Sequence, residues 1–237
     1  MILPRLLRPV SRTTLTATLL LSFLSPPPAR ALPDSHRAQP LDRTLTRLAP
    51  DADPAVLRLA ARALTCASAN ARRLAVIDYS LPSTQRRLWV FDLARRRLLF
   101  EELVSHGRGS GDVQARVFSN SPESHQSSLG LFRTLDSYQG HNGYSLRLEG
   151  LEPGINDLAY QRAIVIHGAD YVSDAFIERT GRLGRSQGCP AVRREVSRPL
   201  IDSIKEDQYL FAYYPDRKWL AESALLRCAG GSRLALH

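Results

Sequence analysis

The chain has 237 residues, 43% of them hydrophobic and 23% charged, which excludes a disordered chain and a collagen-like fibre and leaves room for one sizeable core. Its formal net charge is +9, and the basic residues are almost all arginine, Lys205 and Lys218 excepted; this skew reads as coding bias rather than as a binding surface. The longest apolar run sits at the extreme N-terminus and is too short to span a bilayer.

Residues 1–31 have the layout of an export signal. Arg5, Arg8 and Arg12 form a positive region with no acid before Asp34. An apolar stretch from Leu15 to Leu24 follows, then Ser25-Pro26-Pro27-Pro28 and the small-residue pattern Ala29-Arg30-Ala31. Cleavage before Leu32 removes four arginines and no acid, so +9 becomes +5. The alternative is an uncleaved signal anchor. An exported chain with no further apolar span is expected in the periplasm or cell envelope, without stable membrane insertion.

Residues 32–52 are polar and read as a loose lead-in. Asp53-Pro54 pairs a capping carboxylate with proline at the first helical position, and Val56, Leu59, Ala60, Ala63, Leu64 and Ala67 recur at helical spacing. Residues 53–72 are therefore expected to carry an N-terminal helix, spanning 54–68, that packs on the main domain. Six short β-type runs follow: Leu74–Tyr79, Arg87–Leu93, Leu98–Val104, Ser145–Leu148, Ala163–His167 and Gln208–Tyr214. Turn-rich stretches separate them, notably His106-Gly107-Arg108-Gly109-Ser110-Gly111 and Gln139-Gly140-His141-Asn142-Gly143. Arg95-Arg96-Arg97 reads as a solvated hairpin turn rather than a nucleic-acid patch, and no nucleic-acid partner is expected. Short helices are expected at 197–207 and 216–227. The fold class is thus mostly β with minor α: one domain over 73–215 and a C-terminal tail over 216–237.

Three cysteines in an oxidising compartment leave one unpaired. A Cys66–Cys228 bridge ties the two ends of the domain, closes a loop of about 160 residues, and contributes roughly 3–5 kcal/mol if unstrained. That leaves Cys189 free. The alternative is three reduced, buried small hydrophobes. The run Ala163-Ile164-Val165-Ile166 reads as a buried strand that ends at His167-Gly168, where a histidine emerges at the edge of the core. Ser186-Gln187-Gly188-Cys189-Pro190 follows, with glycine allowing close backbone approach and amides that point at a developing oxyanion. A thiol needs a base to become a nucleophile at neutral pH. His167 as base and Cys189 as nucleophile make one unit for acyl transfer through a thioester. The structural alternative is a satisfied polar histidine and a packing Gly-Cys pair. The remaining histidines, His106, His125 and His141, show no ligand spacing, and no metal or other cofactor is expected; the glycines after His106 lack a phosphate-loop ending. His106 is read first as a turn-former.

Ile166-His167-Gly168 and Ser186-Gln187-Gly188-Cys189 resemble the signature of the L,D-transpeptidases, and more closely that of the murein L,D-transpeptidase catalytic-domain subgroup. Further matching segments are Ser105–Gly111, Phe118-Ser119-Asn120, Ser127–Gly130, Gly143–Leu146 and Gly184–Pro190, so the resemblance covers roughly 74–214. It implies a curved mixed β-sheet with the cysteine at the mouth of a substrate tunnel. It implies attack on the bond between diaminopimelate and terminal D-alanine of a peptidoglycan stem peptide, with Cys189, His167, Gly188 and Ser186 as the catalytic set. Gly168, Gln187, Arg193, Arg185, Tyr144 and Asn142 are the expected substrate contacts, and Tyr138 is a further groove candidate; the alternative for Arg193 and Arg185 is a surface arginine, and for Tyr138, Asn142 and Tyr144 a core or turn role. The chain departs from the family pattern in carrying Gln187 where histidine is common. Glutamine hydrogen-bonds but does not titrate, so no proton relay passes through that position. An L,D-carboxypeptidase that hydrolyses the same bond and a non-catalytic wall-binding module remain alternatives. A monomer is the default.

Overall fold

A computed structural model describes residues 40–67 and 69–228, and the signal segment expected at 1–31 lies outside the described residues. Residues 41–48, expected to be loose lead-in, form helix α1 (Leu41–Leu48). Leu41, Leu45 and Leu48 share one face, and Leu45 is fully buried, so hydrophobic anchoring overrides the polar composition. Helix α2 (Pro54–Cys66) begins as its sequence dictates: the Asp53 carboxylate accepts from Ala55 N at 2.7 Å and Pro54 fills the first turn. Its Val56, Leu57, Ala60, Ala63 and Leu64 are buried, and the alanines let it lie close to the sheet. Cys66 is joined to Cys228 as a disulfide, with Cα atoms 6.1 Å apart.

The sheet has eight strands: β1 (Arg73–Asp78), β2 (Leu88–Asp92), β3 (Arg97–Glu102), β4 (Gly130–Gly140), β5 (Gly143–Gly150), β6 (Val165–Gly168), β7 (Ala191–Val192) and β8 (Tyr209–Tyr213). Their spatial order is β3-β2-β1-β8-β4-β5-β6-β7, and the sheet is mixed. β1 to β3 form an antiparallel meander, β8 inserts parallel to β1 and antiparallel to β4, and β4, β5 and β6 continue antiparallel. The last pair, β6 with β7, is parallel and aligns His167 with Ala191. The fold is mostly β, as the strand pattern predicts. Strand β4 was not legible in the sequence. Leu131 and Phe132 are both buried, a register shift falls between Thr134 and Ser137, and the outer half is polar, so the alternation that marks a strand is broken.

The basic turn between β2 and β3 is organised by Asp92. Its buried carboxylate meets Arg73 at 2.9 Å, Arg97 at 3.5 Å and Arg95 at 3.6 Å, while Arg96 takes a positive φ at the tip. Helix α3 (Asp174–Thr180) was unforeseen; Ser173 caps it by accepting from Phe176 N at 3.1 Å. Helix α4 (Arg194–Ile204) packs on β6 and so backs the histidine strand. Helices α5 (Arg217–Glu222) and α6 (Ala224–Arg227) end the described chain. Among the described residues no helix is long and apolar enough to cross a membrane.

Candidate active site

β6 is buried along its length and carries His167 between Ser145 of β5 and Ala191 of β7. The imidazole Nδ1 lies 3.1 Å from the Gly168 carbonyl oxygen. A carbonyl only accepts, so Nδ1 carries the hydrogen and Nε2 keeps its lone pair free. Burial lowers the His167 pKa, the Gly168 contact raises it, and the Arg194 charge lowers it further; the net direction is down.

Cys189 is the free cysteine among the described residues and is 8% exposed. Its Sγ donates to Ala163 O at 3.7 Å and accepts from Val165 N at 3.5 Å. Ala163 holds a positive φ of 53°, which is uncommon for a residue with a side chain. Burial pushes the thiol pKa up, while the Val165 N–H and the Arg162 guanidinium pull it back; the net direction is up. Both directions favour the uncharged forms, thiol and neutral imidazole.

The turn that presents the sulfur is built from short polar contacts. Ser186 Oγ donates to Cys189 O at 2.6 Å and accepts from Gly188 N at 3.1 Å. The Gly188 N–H is thus occupied, whereas Cys189 N–H meets no acceptor among the described residues. Gly188 has φ 124°, and a Cβ there would lie 2.8 Å from Ile164 Cδ1 and 2.9 Å from Gln126 O, so only glycine fits. The glycine-rich segment after β3 runs alongside: Ser186 N donates to His106 O at 3.0 Å, and Arg108 N donates to Ser186 O at 2.8 Å. Ser127 Oγ donates to Gly188 O and accepts from Gly107 N, both at 3.0 Å, and rivets the two segments together.

His167, Gly168, Ser186, Gln187 and Cys189 all line one cleft of about 940 Å³, together with Asn142 and Arg185. Arg185 is also tied to Gly111 O at 2.9 Å and Asp112 at 3.3 Å. Gln187 is exposed and has no side-chain hydrogen bond among the described residues. Gly168 backs onto α4, where a Cβ would meet Ser197 Oγ at 2.7 Å.

Two expected substrate contacts lie elsewhere. Arg193 is held by Glu102 through two 2.8 Å bonds, and Tyr144 donates to Asp202 at 2.6 Å beneath the Arg198 guanidinium. Tyr138 is likewise outside the cleft, stacked under Arg147. His106 is fully buried and points inward, its Nδ1 2.8 Å from Arg87 Nη2. Among the described residues no three His, Cys, Asp or Glu side chains gather as a metal-ligand set. The sequence reading gave Arg162 no role, and gave Ser127 none beyond its place in a matching segment; the partners of both are remote in the chain.

Residues 48–213 match the model of the family described as L,D-transpeptidase catalytic domain. No curated protein matches the sequence. Among solved structures, an L,D-transpeptidase from Mycobacterium smegmatis is 12% identical, with 61% of this chain and 59% of that chain covered and a TM-score of 0.39. An L,D-transpeptidase from Stackebrandtia nassauensis is 13% identical, with 73% and 76% covered and a TM-score of 0.39. The helical cell shape determining protein Pgp2 of Campylobacter jejuni is 12% identical, with 65% and 52% covered and a TM-score of 0.40. The chain spans about three fifths of the length of several structures that it matches.

Proposed function

The chain belongs to the L,D-transpeptidase catalytic-domain family, and on that premise we propose that it is an exported cysteine acyltransferase acting on peptidoglycan stem peptides. The supporting observation is that Cys189, the free thiol, and His167, with its Nε2 lone pair unengaged, line the same cleft.

In this reading His167 Nε2 takes the thiol proton as Cys189 Sγ attacks the carbonyl between diaminopimelate and terminal D-alanine. The free Cys189 N–H meets the oxyanion, and Gly188 shapes the turn rather than donating, because its own N–H is engaged by Ser186. The proton passes to the departing D-alanine amine and a thioester remains. An amine from a neighbouring stem then attacks the thioester, gives its proton to His167, and releases Cys189. Asn142 and Arg185 are the substrate contacts that the cleft supports, Arg185 as a partner for a carboxylate.

A carbapenem carries a strained amide carbonyl and serves as a titrant of such a thiol. Intact-mass spectrometry under non-reducing conditions is expected to find one adduct on the wild type and none on Cys189→Ala. Acylation of Cys189→Ala at the wild-type rate overturns the assignment. Because burial lowers the His167 pKa, the acid limb of the wild-type acylation rate is expected below pH ~6.5, the ordinary value for histidine. Incubating a purified tetrapeptide with and without an acceptor amine then separates transfer, which yields dimer, from hydrolysis, which does not.

A further inference from the structure

Arg162 precedes the histidine strand and lines the cleft beside Cys189. Its half-buried guanidinium makes four hydrogen bonds, all to one loop: Nη1 to Ser119 O at 2.6 Å and Ser128 Oγ at 2.5 Å, Nη2 to Gln126 O at 2.6 Å and Ser124 Oγ at 3.3 Å. Every acceptor is neutral, and among the described residues no carboxylate pairs with it. Nη2 also lies 3.6 Å from where a Cβ of Gly188 would sit, on the nucleophile turn itself. A half-buried cation whose partners are all neutral keeps part of its charge uncompensated, and an anion that forms beside it is favoured.

We propose that Arg162 is the fixed positive charge that sets the reactivity of the Cys189 thiol, while its four bonds hold the 119–128 loop against the nucleophile turn. The proposal rests on Cys189 as the nucleophile, but it concerns the thiol and not the substrate.

The other groups around the sulfur do not supply that charge. His167 rests neutral, since burial lowers it. Tyr79 and Tyr171 are pushed up to about 12 by burial and stay protonated. Among the guanidinium groups lining the cleft, Arg194 is paired with Asp170 and Arg185 with Asp112, and Arg108 stands in solvent, where water screens it. His141 lies on the β4–β5 turn at the cleft rim. Charge coupling is mutual between Arg162 and Cys189: each favours the ionised form of the other.

The test measures the rate at which iodoacetamide alkylates Cys189 between about pH 6 and pH 10.5, followed by intact mass without reductant. The Cys66–Cys228 disulfide consumes no reagent, so one adduct reports one thiol. Arg162→Gln keeps an amide with two N–H donors, enough for at most two of the four bonds, and removes the charge. It is expected to raise the midpoint of the rate profile by about one unit, a roughly tenfold slower reaction at neutral pH. Arg162→Lys keeps the charge and is expected to retain the midpoint with a lower Tm. Ser128→Ala removes two loop bonds, the one from Arg162 and the one to Ser119 O, and is expected to lower Tm alone. A midpoint in Arg162→Gln that coincides with the wild type overturns the proposal, and so does an equal rise in both Arg162 variants. If Arg162→Gln does not fold, Arg162→Lys decides: a retained midpoint supports the charge and a raised one removes it. No peptidoglycan enters the assay, so a failed acyltransferase assignment leaves this outcome unaffected.

Discussion

Gly188 shows how one residue without a side chain shapes the turn that carries Cys189. Its φ of 124° lies where L-residues rarely go, and a Cβ would press on Ile164 and on the Gln126 carbonyl that Arg162 holds. Gly188→Ala combines backbone strain with a clash against backbone that cannot retreat, so a loss of about 1–3 kcal/mol is expected. Displacing the turn also moves the Cys189 N–H, and carbapenem adduct formation is expected to fall by about 100-fold or more. Gly154 provides the contrast: its φ is 75°, and nothing lies within 4 Å of its would-be Cβ. Gly154→Ala is expected to cost about 1 kcal/mol and to leave adduct formation intact. Urea titrations and time-resolved intact mass on the two variants separate strain from site geometry. Equal adduct rates in both would remove the turn from the mechanism. At this scale the two groups proposed for the chemistry were legible as candidates, because a histidine ending an apolar run and a cysteine after glycine are local patterns. Arg162 was not, because its four acceptors lie in residues 119–128 and no spacing rule links them to it.

Elements were legible where a strand alternates or runs apolar between turn residues. β1, β2, β6 and β8 lie within two residues of their expected spans at each end, because their buried runs are bounded by Asp, Gly, Pro or Arg. β4 was lost to its bulge, and α1 to a polar sequence whose three leucines suffice to bury one face. Tyr144 and Arg193 were assigned to the cleft because a sequence does not say which face of a strand or helix end meets a cavity; each instead closes a polar contact with an acid, Asp202 or Glu102. The disulfide acts on elements too. It ties the end of α2 to the residue after α6, alongside an Arg62 to Leu226 O bond of 3.1 Å, and closes a separation of 162 residues. A Cys66→Ser, Cys228→Ser double variant is expected to lose about 3–5 kcal/mol in denaturant titration, mostly by freeing the unfolded chain. Neither cysteine lines the cleft, so the Cys189 alkylation rate in the folded variant is expected to match the wild type.

The molecule as a whole stacks buried polar groups behind the site, and its acid stability should report them. Arg87 is fully buried and donates to Val104 O at 2.8 Å, to Leu81 O at 2.7 Å and to His106 Nδ1 at 2.8 Å. Burial first, and then the Arg87 charge, lowers the His106 pKa from 6.5 to about 4. Between those values the unfolded chain binds the proton and the folded one does not, so stability rises with pH across the window. The contribution is complete above about pH 6.5 and is lost as pH falls to about 4, amounting to roughly 3 kcal/mol. His167 is depressed and acts in the same sense, while Asp78 and Glu152, whose pKa values burial raises, act in the opposite one. A difference measurement isolates His106. His106→Gln retains an acceptor for Arg87 and removes the titration. Its stability gap from the wild type is expected to shrink by roughly 3 kcal/mol between pH 7 and pH 4 in urea titrations. A gap that stays constant over that range would show that His106 carries none of the acid sensitivity. Because the His106 carbonyl receives the Ser186 N–H at 3.0 Å, protonation of the buried ring is expected to loosen the support of the turn that carries Cys189. Cys189 reactivity in the wild type should therefore fall at acidic pH before the sheet unfolds, and the variant should lose that early component.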